Sequence, residues 1–297
     1  MNLQTGTVIS QLPTGTIDAL TAILPVTINV TGTPQTIKAS LLQTVQFLQS
    51  ALLNGTYQPT GTTIPMDGWN SVPAGLSYVS SDSPSFVVKA DANVTGSFGV
   101  GVKMKVNHLS STKYFVLTSV LGVTGSSTYL NLYGGTDYTL TTGSITSPYY
   151  SPVKNPYGFP PSELKWTESF TDTTNTSVSG TSSYQNINNV QLSIPIGLWE
   201  IGYDVTANVT KTVAGTCQPT TTLSTTTTTE TDATTTISNG IASVTAYTAR
   251  HLLRRKILSL SAKTTYYLNT KANVASESMA NFNAAGTLKI TAKCAYL

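Results

Sequence analysis

The sequence predicts a mainly-β protein: a short N-terminal hairpin followed by one helix, then, after a linker, two β-rich modules. Three observations predict it. Charged residues make up only 10% of the chain, against about 25% in an ordinary soluble domain. The polar remainder is rich in Thr, Ser, Asn and Gln, and Thr suits the extended, pleated backbone. Short alternating or β-branched runs recur between Gly-, Ser- and Pro-rich turns. With 297 residues and 39% hydrophobic side chains, there is material for real cores in two or three domains, which excludes global disorder.

Residues 1–56 form the first segment. Ile23 to Val30 reads as a strand, Thr31 to Pro34 as a turn and Thr36 to Lys38 as a short returning strand. Ser40 is a good N-cap with Gln43 three residues on. Leu41, Val45, Leu48 and Leu52 then follow helical spacing until Asn54-Gly55 ends the helix. A hairpin and one helix make a very small core. The apolar helix face is therefore expected to bury against sister chains around a threefold axis, the alternative being its own hairpin.

Residues 57–66 read as a linker and residues 67–161 as a small β barrel or sandwich. In it Val102, Met104 and Val106 alternate with Lys103, Lys105 and Asn107, as in a half-buried strand. Residues 162–297 form the second β domain. Val190 to Val205, Thr264 to Leu268 and Gly286 to Ala292 supply its strands. Thr220 to Thr236 is nearly all Thr without Pro, which predicts two hairpin strands turning near Glu230 with a surface-facing hydroxyl ladder.

Three stretches carry a resemblance. Tyr129 to Pro160 reads YLNLYGGTDYTLTTGSITSPYYSPVKNPYGFP. It resembles a β module of bacteriophage structural and tail-fibre proteins, in which a GG-D-Y turn precedes PYYS and GFP. Ile9-Ser10-Gln11-Leu12-Pro13 with Leu24-Pro25-Val26 resembles the N-terminal segment of many phage fibre and appendage proteins. Ile194-Pro195-Ile196-Gly197-Leu198-Trp199 is similar to the strand entry of jelly-roll domains of phage fibres and of the C1q and tumour-necrosis-factor type. The resemblance implies an N-terminal virion-attachment segment over 1–56, a jelly-roll-like distal domain over 162–297, and a tip that recognises the host surface.

Composition and motifs exclude several classes. A net charge of +3 is too small for nucleic-acid binding, which neutralises many phosphates at once. No run of 18 apolar residues exists, so no membrane insertion is expected, and the first residues predict no signal peptide. Cys217 and Cys294 are expected as buried free thiols in a chain assembled in a bacterial cytoplasm.

A glycan hydrolase needs two carboxylates about 5–9.5 Å apart. Glu200 and Asp204 would lie about 13 Å apart on one strand, and Glu230 and Asp232 about 6.6 Å. The second pair sits in the Thr run and reads as solvated. His108 reads as a surface residue at a loop edge, and neither it nor His251 has metal-ligand neighbours at suitable spacing. No cofactor is expected. The single charge cluster is RHLLRRK, in which Arg250, Arg254, Arg255 and Lys256 are candidate contacts for a surface ligand, the alternatives being a solvated run and intersubunit salt bridges. Tyr149, Tyr150, Tyr157 and Phe159 are expected to pack the closure of the first module.

These readings combine into a non-enzymatic phage virion protein: a homotrimeric tail fibre or appendage, attached by its N-terminus to other virion proteins and presenting a β-rich tip, with host-surface glycan as candidate partner. A head fibre or capsid decoration protein is the first alternative, and a tail-associated glycan hydrolase the second.

Overall fold

The computed structural model describes residues 65–179, 182–272, 278–282 and 288–297, and as backbone 23–30 and 33–40. The chain divides into two compact units, Met1–Met66 and Asp67–Leu297. In the first, β1 (Ile23–Val30) and β2 (Thr33–Ser40) pair antiparallel from Ile23↔Ser40 to Val30↔Thr33. Pairing thus runs further into the expected turn, through Pro34, than the sequence suggests. The helix expected over Leu41, Val45, Leu48 and Leu52 lies outside the described residues.

The second unit is built of antiparallel strands. Residues 70–151 form a seven-stranded sheet from β3 (Asn70–Ser71), β4 (Leu76–Asp82), β5 (Ser85–Ala90), β6 (Lys103–His108), β7 (Ser111–Thr124), β8 (Ser127–Tyr133) and β9 (Ile145–Ser151). Their order is β3-β9-β6-β7-β8-β5-β4. Leu76 on the β4 edge and Tyr150 on β9, near the other edge, join one core with Val88, Met104, Phe115, Leu117, Leu130 and Leu132. The sheet must therefore curl back on itself.

Met104 and Val106 point into that core as the alternation predicts, but Lys103 is buried as well, only 2% exposed. Its ammonium donates to the carbonyls of Gly101 (2.9 Å) and Tyr296 (2.6 Å), which offset its desolvation. His108 is likewise interior rather than at the surface, with Nε2 3.1 Å from the Thr141 carbonyl oxygen. Both faces of β6 are covered, one by its own core and the other by Tyr296, Trp69 and Tyr149.

Residues 167–294 supply two more sheets. The larger contains β10 (Thr167–Asp172), β11 (Thr176–Ser179), β13 (Gly197–Cys217), β16 (Ile241–Leu260), β18 (Ser278–Phe282) and β19 (Leu288–Cys294). The smaller has β12 (Gln185–Ile194), β17 (Thr264–Lys271), β14 (Thr220–Ser224) and β15 (Ile237–Ser238), in the order β12-β17-β14-β15. Trp199, Ile201, Tyr203 and Val205 of β13 share a core with Val190, Ile194, Leu223 and Leu268 of the smaller sheet, so the two sheets face each other.

The Thr-rich stretch supplies one strand, β14, and not the expected two. Thr225 to Asp232 form a bent loop, Ala233–Thr235 is a single 3-10 turn, and the pairing strand β15 lies just beyond the run. Its hydroxyl ladder is internal, not surface-facing. All five residues of β14 are buried. Thr222 Oγ1 meets Thr235 Oγ1 at 3.1 Å and accepts from Thr236 Oγ1 at 2.9 Å; Thr220 Oγ1 meets Ser238 Oγ at 2.8 Å. Hydroxyls that bond one another escape the penalty of burial, which allows so polar a strand between β17 and β15.

An aromatic joint connects the modules. The Tyr133 ring lies 4.9 Å from Trp199, edge-on, and 5.9 Å from Trp166, which stacks on Phe159 at 5.0 Å. The Tyr133 hydroxyl donates to Glu168 at 2.7 Å, and Trp166 Nε1 to the Pro160 carbonyl at 2.9 Å. Gly135 makes this approach possible. Its φ is +71°, and a Cβ there would lie 2.5 Å from the Lys165 carbonyl oxygen. Gly197 plays the same part on the other side: its φ is +133°, and a Cβ would fall 2.9 Å from the Thr118 side chain.

Candidate functional site

The RHLLRRK run lies on β16, which among the described residues pairs only with β13 and so forms an edge of the larger sheet. On β13 the odd residues Trp199, Ile201, Tyr203 and Val205 fill the core, so Glu200, Gly202 and Asp204 face outward. β19 flanks β13 on its other side, placing Lys293 opposite Glu200, Thr291 opposite Gly202 and Lys289 opposite Asp204. Glu200, Asp204, Lys289 and Lys293 therefore gather on one outer face.

The four candidate residues do not act together. Arg250 grips Asp204 through both carboxylate oxygens, Nε donating to Oδ1 at 2.8 Å. Arg255 pairs with Glu200 at 2.7 Å. Lys256 turns towards Asp232 and the Thr234 hydroxyl, and this contact holds the Asp232 carboxyl below the usual range. Of the four, Arg254 alone has no ion pair among the described residues. Lys289 has none either, and the sequence gives no hint of it because β19 lies far along the chain. Charges on an exposed edge strand also discourage unwanted strand pairing, which gives the paired arginines a structural role.

Arg254 and Lys289 border one trough. The pairing of β13 with β16 breaks between Ile201↔Lys256 and Tyr203↔Leu253, where an extra residue bulges. Gly202 sits opposite the bulge, and a Cβ there would come within 2.6 Å of the Leu253 carbonyl oxygen. Glycine thus lets the bulged backbone close over β13, and beside the bulge lies a trough of about 230 Å³, lined by Asp204, Leu252, Arg254, Lys289 and Thr291, with Tyr203 and Leu253 also bordering it. Leu252 is 44% exposed, an apolar wall between charged ends.

Other chemistry-bearing residues are committed elsewhere. The Glu230 carboxylate accepts from the Tyr184 hydroxyl at 2.9 Å and from Thr236 Oγ1 at 2.6 Å. His251 is fully buried, its Nδ1 2.8 Å from Thr221 Oγ1, and burial holds its pKa down. Cys217 and Cys294 are both buried and form no disulfide, and burial raises the Cys294 thiol to about 11. No group of three or more His, Cys, Asp or Glu among the described residues could hold a metal ion. No helix among them is long and apolar enough to cross a membrane. A second hollow, of about 470 Å³, lies beside Asn107, Leu109, Ser110, Thr112, Ser144 and Thr146 and contains no titratable side chain. Of the closure aromatics, Phe159 is buried, Tyr149 and Tyr150 are half-buried, and Tyr157 is exposed.

No known protein family matches the chain, and no curated protein does. Among solved structures, dimeric latent PorU from Porphyromonas gingivalis aligns over 74% of this chain and 24% of its own, with 11% identity and a TM-score of 0.25. The structure of infectious bursal disease virus strain Gx aligns over 75% of this chain and 60% of its own, with 14% identity and a TM-score of 0.25. The VP2 subviral particle of the same virus covers 84% and 82%, at 12% identity and a TM-score of 0.21. The chain thus spans about a quarter of the PorU chain and three-fifths of the Gx-strain chain. Likeness at this level carries no argument about function.

Proposed function

We propose that the chain is a non-enzymatic structural protein of a bacteriophage particle: a trimeric fibre or tail appendage, attached through residues 1–56, whose jelly-roll-like second module meets the host surface. The carrying observation is the stretch from Tyr129 to Pro160. The residues behind its phage-type resemblance are used in the joint between modules: Tyr133, Gly135 and Phe159 touch or enclose Trp166. A motif that holds two β bodies together suits a rigid particle component rather than a catalyst. The carboxylates with spacing of interest support this. Glu200 and Asp204 are bound to arginines, Asp232 to Lys256 and Glu230 to two hydroxyls, which leaves neither pair poised as acid and base.

The test is location. An antibody raised against the full chain is expected to label the tail of intact particles, and sedimentation of the purified chain to give a trimer. Label confined to the capsid shell transfers the reading to a head fibre or decoration protein. Absence from the particle overturns both, as does release of oligosaccharides from host envelope polysaccharide that disappears on replacing one Asp or Glu.

A further inference from the structure

We propose that the trough beside the β16 bulge is a binding site for an acidic saccharide, with the sugar's anionic group held between Arg254 and Lys289. The inference rests on the host-surface reading above and specifies its contact. Four observations meet here. Cationic side chains on this face are mostly neutralised in place: Arg250 by Asp204, Arg255 by Glu200 and Lys293 by Glu163. Arg254 and Lys289, which have no ion pair among the described residues, belong to different strands yet border one hollow. β16 and β19 flank β13, so their backbones are about 10 Å apart, a gap that two long, flexible cationic side chains close onto a single carboxylate or phosphate.

The hollow lies beside the β16 bulge, between that strand and β19. The one carboxylate lining it, Asp204, is already held by two guanidinium donors of Arg250, so it neither neutralises the remaining pair nor repels strongly.

Shape narrows the ligand class. At about 230 Å³ the trough is below the roughly 300–1,000 Å³ of sites that engulf a small molecule, and it lies open on a sheet face. Such a site takes one or two units of a polymer passing over it. Exposed Leu252 offers an apolar surface to the C–H face of a sugar ring, and the Thr291 hydroxyl, which donates to the Gly202 carbonyl at 3.5 Å, keeps its oxygen as an acceptor for a ring hydroxyl. Guanidinium supplies paired donors to a planar anion, and ammonium a mobile point charge. One such site is weak, but three on a trimer would act together.

The experiment is titration calorimetry on the full chain with three probes: tetragalacturonate as acidic saccharide, maltotetraose as neutral saccharide and inorganic phosphate as free anion. Tetragalacturonate is expected to bind, with affinity falling as salt rises, and maltotetraose to bind at least tenfold more weakly. Arg254→Gln and Lys289→Gln should each weaken tetragalacturonate binding roughly tenfold, about 1.4 kcal/mol. Lys154→Gln removes an exposed cation on the first module and should change it less than twofold. Circular dichroism and the unfolding midpoint of each variant establish that the fold is retained, and Arg254→Lys should recover part of the loss. Equal binding of phosphate and tetragalacturonate would overturn the saccharide assignment, and equal losses in Lys154→Gln would overturn the site. Failure of tetragalacturonate to bind, with the chain still found on the tail, would sink the trough while leaving the virion reading standing.

Discussion

Replacing Gly135 by alanine tests the joint on which the two β modules depend. Its φ of +71° costs an L-residue about 1–2 kcal/mol by itself. The new methyl would also lie 2.5 Å from the Lys165 carbonyl oxygen and 3.2 Å from the Trp166 ring. Relief requires the 162–166 segment to move, straining the 2.9 Å hydrogen bond from Thr136 N–H to Lys165. A buried bond lost costs about 1–3 kcal/mol, and overpacking about 1–3 more. Together these come to about 3–8 kcal/mol. Gly125 is the matched control: its φ is +62°, but nothing lies within 4 Å of where its Cβ would fall, so only the backbone cost of about 1–2 kcal/mol applies. At about 2–4 °C per kcal/mol for a domain of this size, Gly125→Ala should lower the thermal midpoint by about 2–8 °C and Gly135→Ala by clearly more, about 6 °C at least. Scanning calorimetry of both variants decides. Equal shifts would mean that close packing at Gly135 is not what the joint requires.

Two further outcomes follow from buried groups. Burial holds the pKa of His251 below its unfolded value of about 6.5, so the unfolded chain takes up that proton first. The contribution is fully present above about pH 6.5 and is lost as pH falls towards the folded pKa. Urea midpoints measured from pH 7.5 to 5.5 should therefore decline, and the decline should flatten in His251→Phe; an unchanged slope refutes the assignment. Cys217 and Cys294 should be inert to a thiol-reactive disulfide reagent in the native chain and yield two equivalents on unfolding, since both are enclosed. Rapid native labelling of either would contradict the packing around it.

What the sequence could disclose depended on how far each contact reaches. Alternation at Met104 and Val106 was legible because period-two patterning needs only the strand itself. Lys103 was not, because the carbonyl that covers it arrives from Tyr296 at the far end of the chain. His108, by contrast, falls in phase with Met104 and Val106 and was misplaced only by ending the strand before it. The Thr run betrayed one strand, β14, but neither the bends and 3-10 turn that replace the second nor the burial, which depends on hydroxyl partners such as Thr235 and Ser238 closing around β14. At the candidate site, RHLLRRK advertised four cations, while the acidic partners that silence three of them sit on β13 and beside Thr234. Lys289 gave no local signal at all. One signal was nonetheless available: Gly202 interrupts the run Trp199, Glu200, Ile201, Tyr203, Asp204, Val205 at an outward position, and an isolated glycine within a strand marks a bulge or a close backbone approach. That glycine marks where the bulged backbone of β16 closes over β13, and the trough lies beside that bulge.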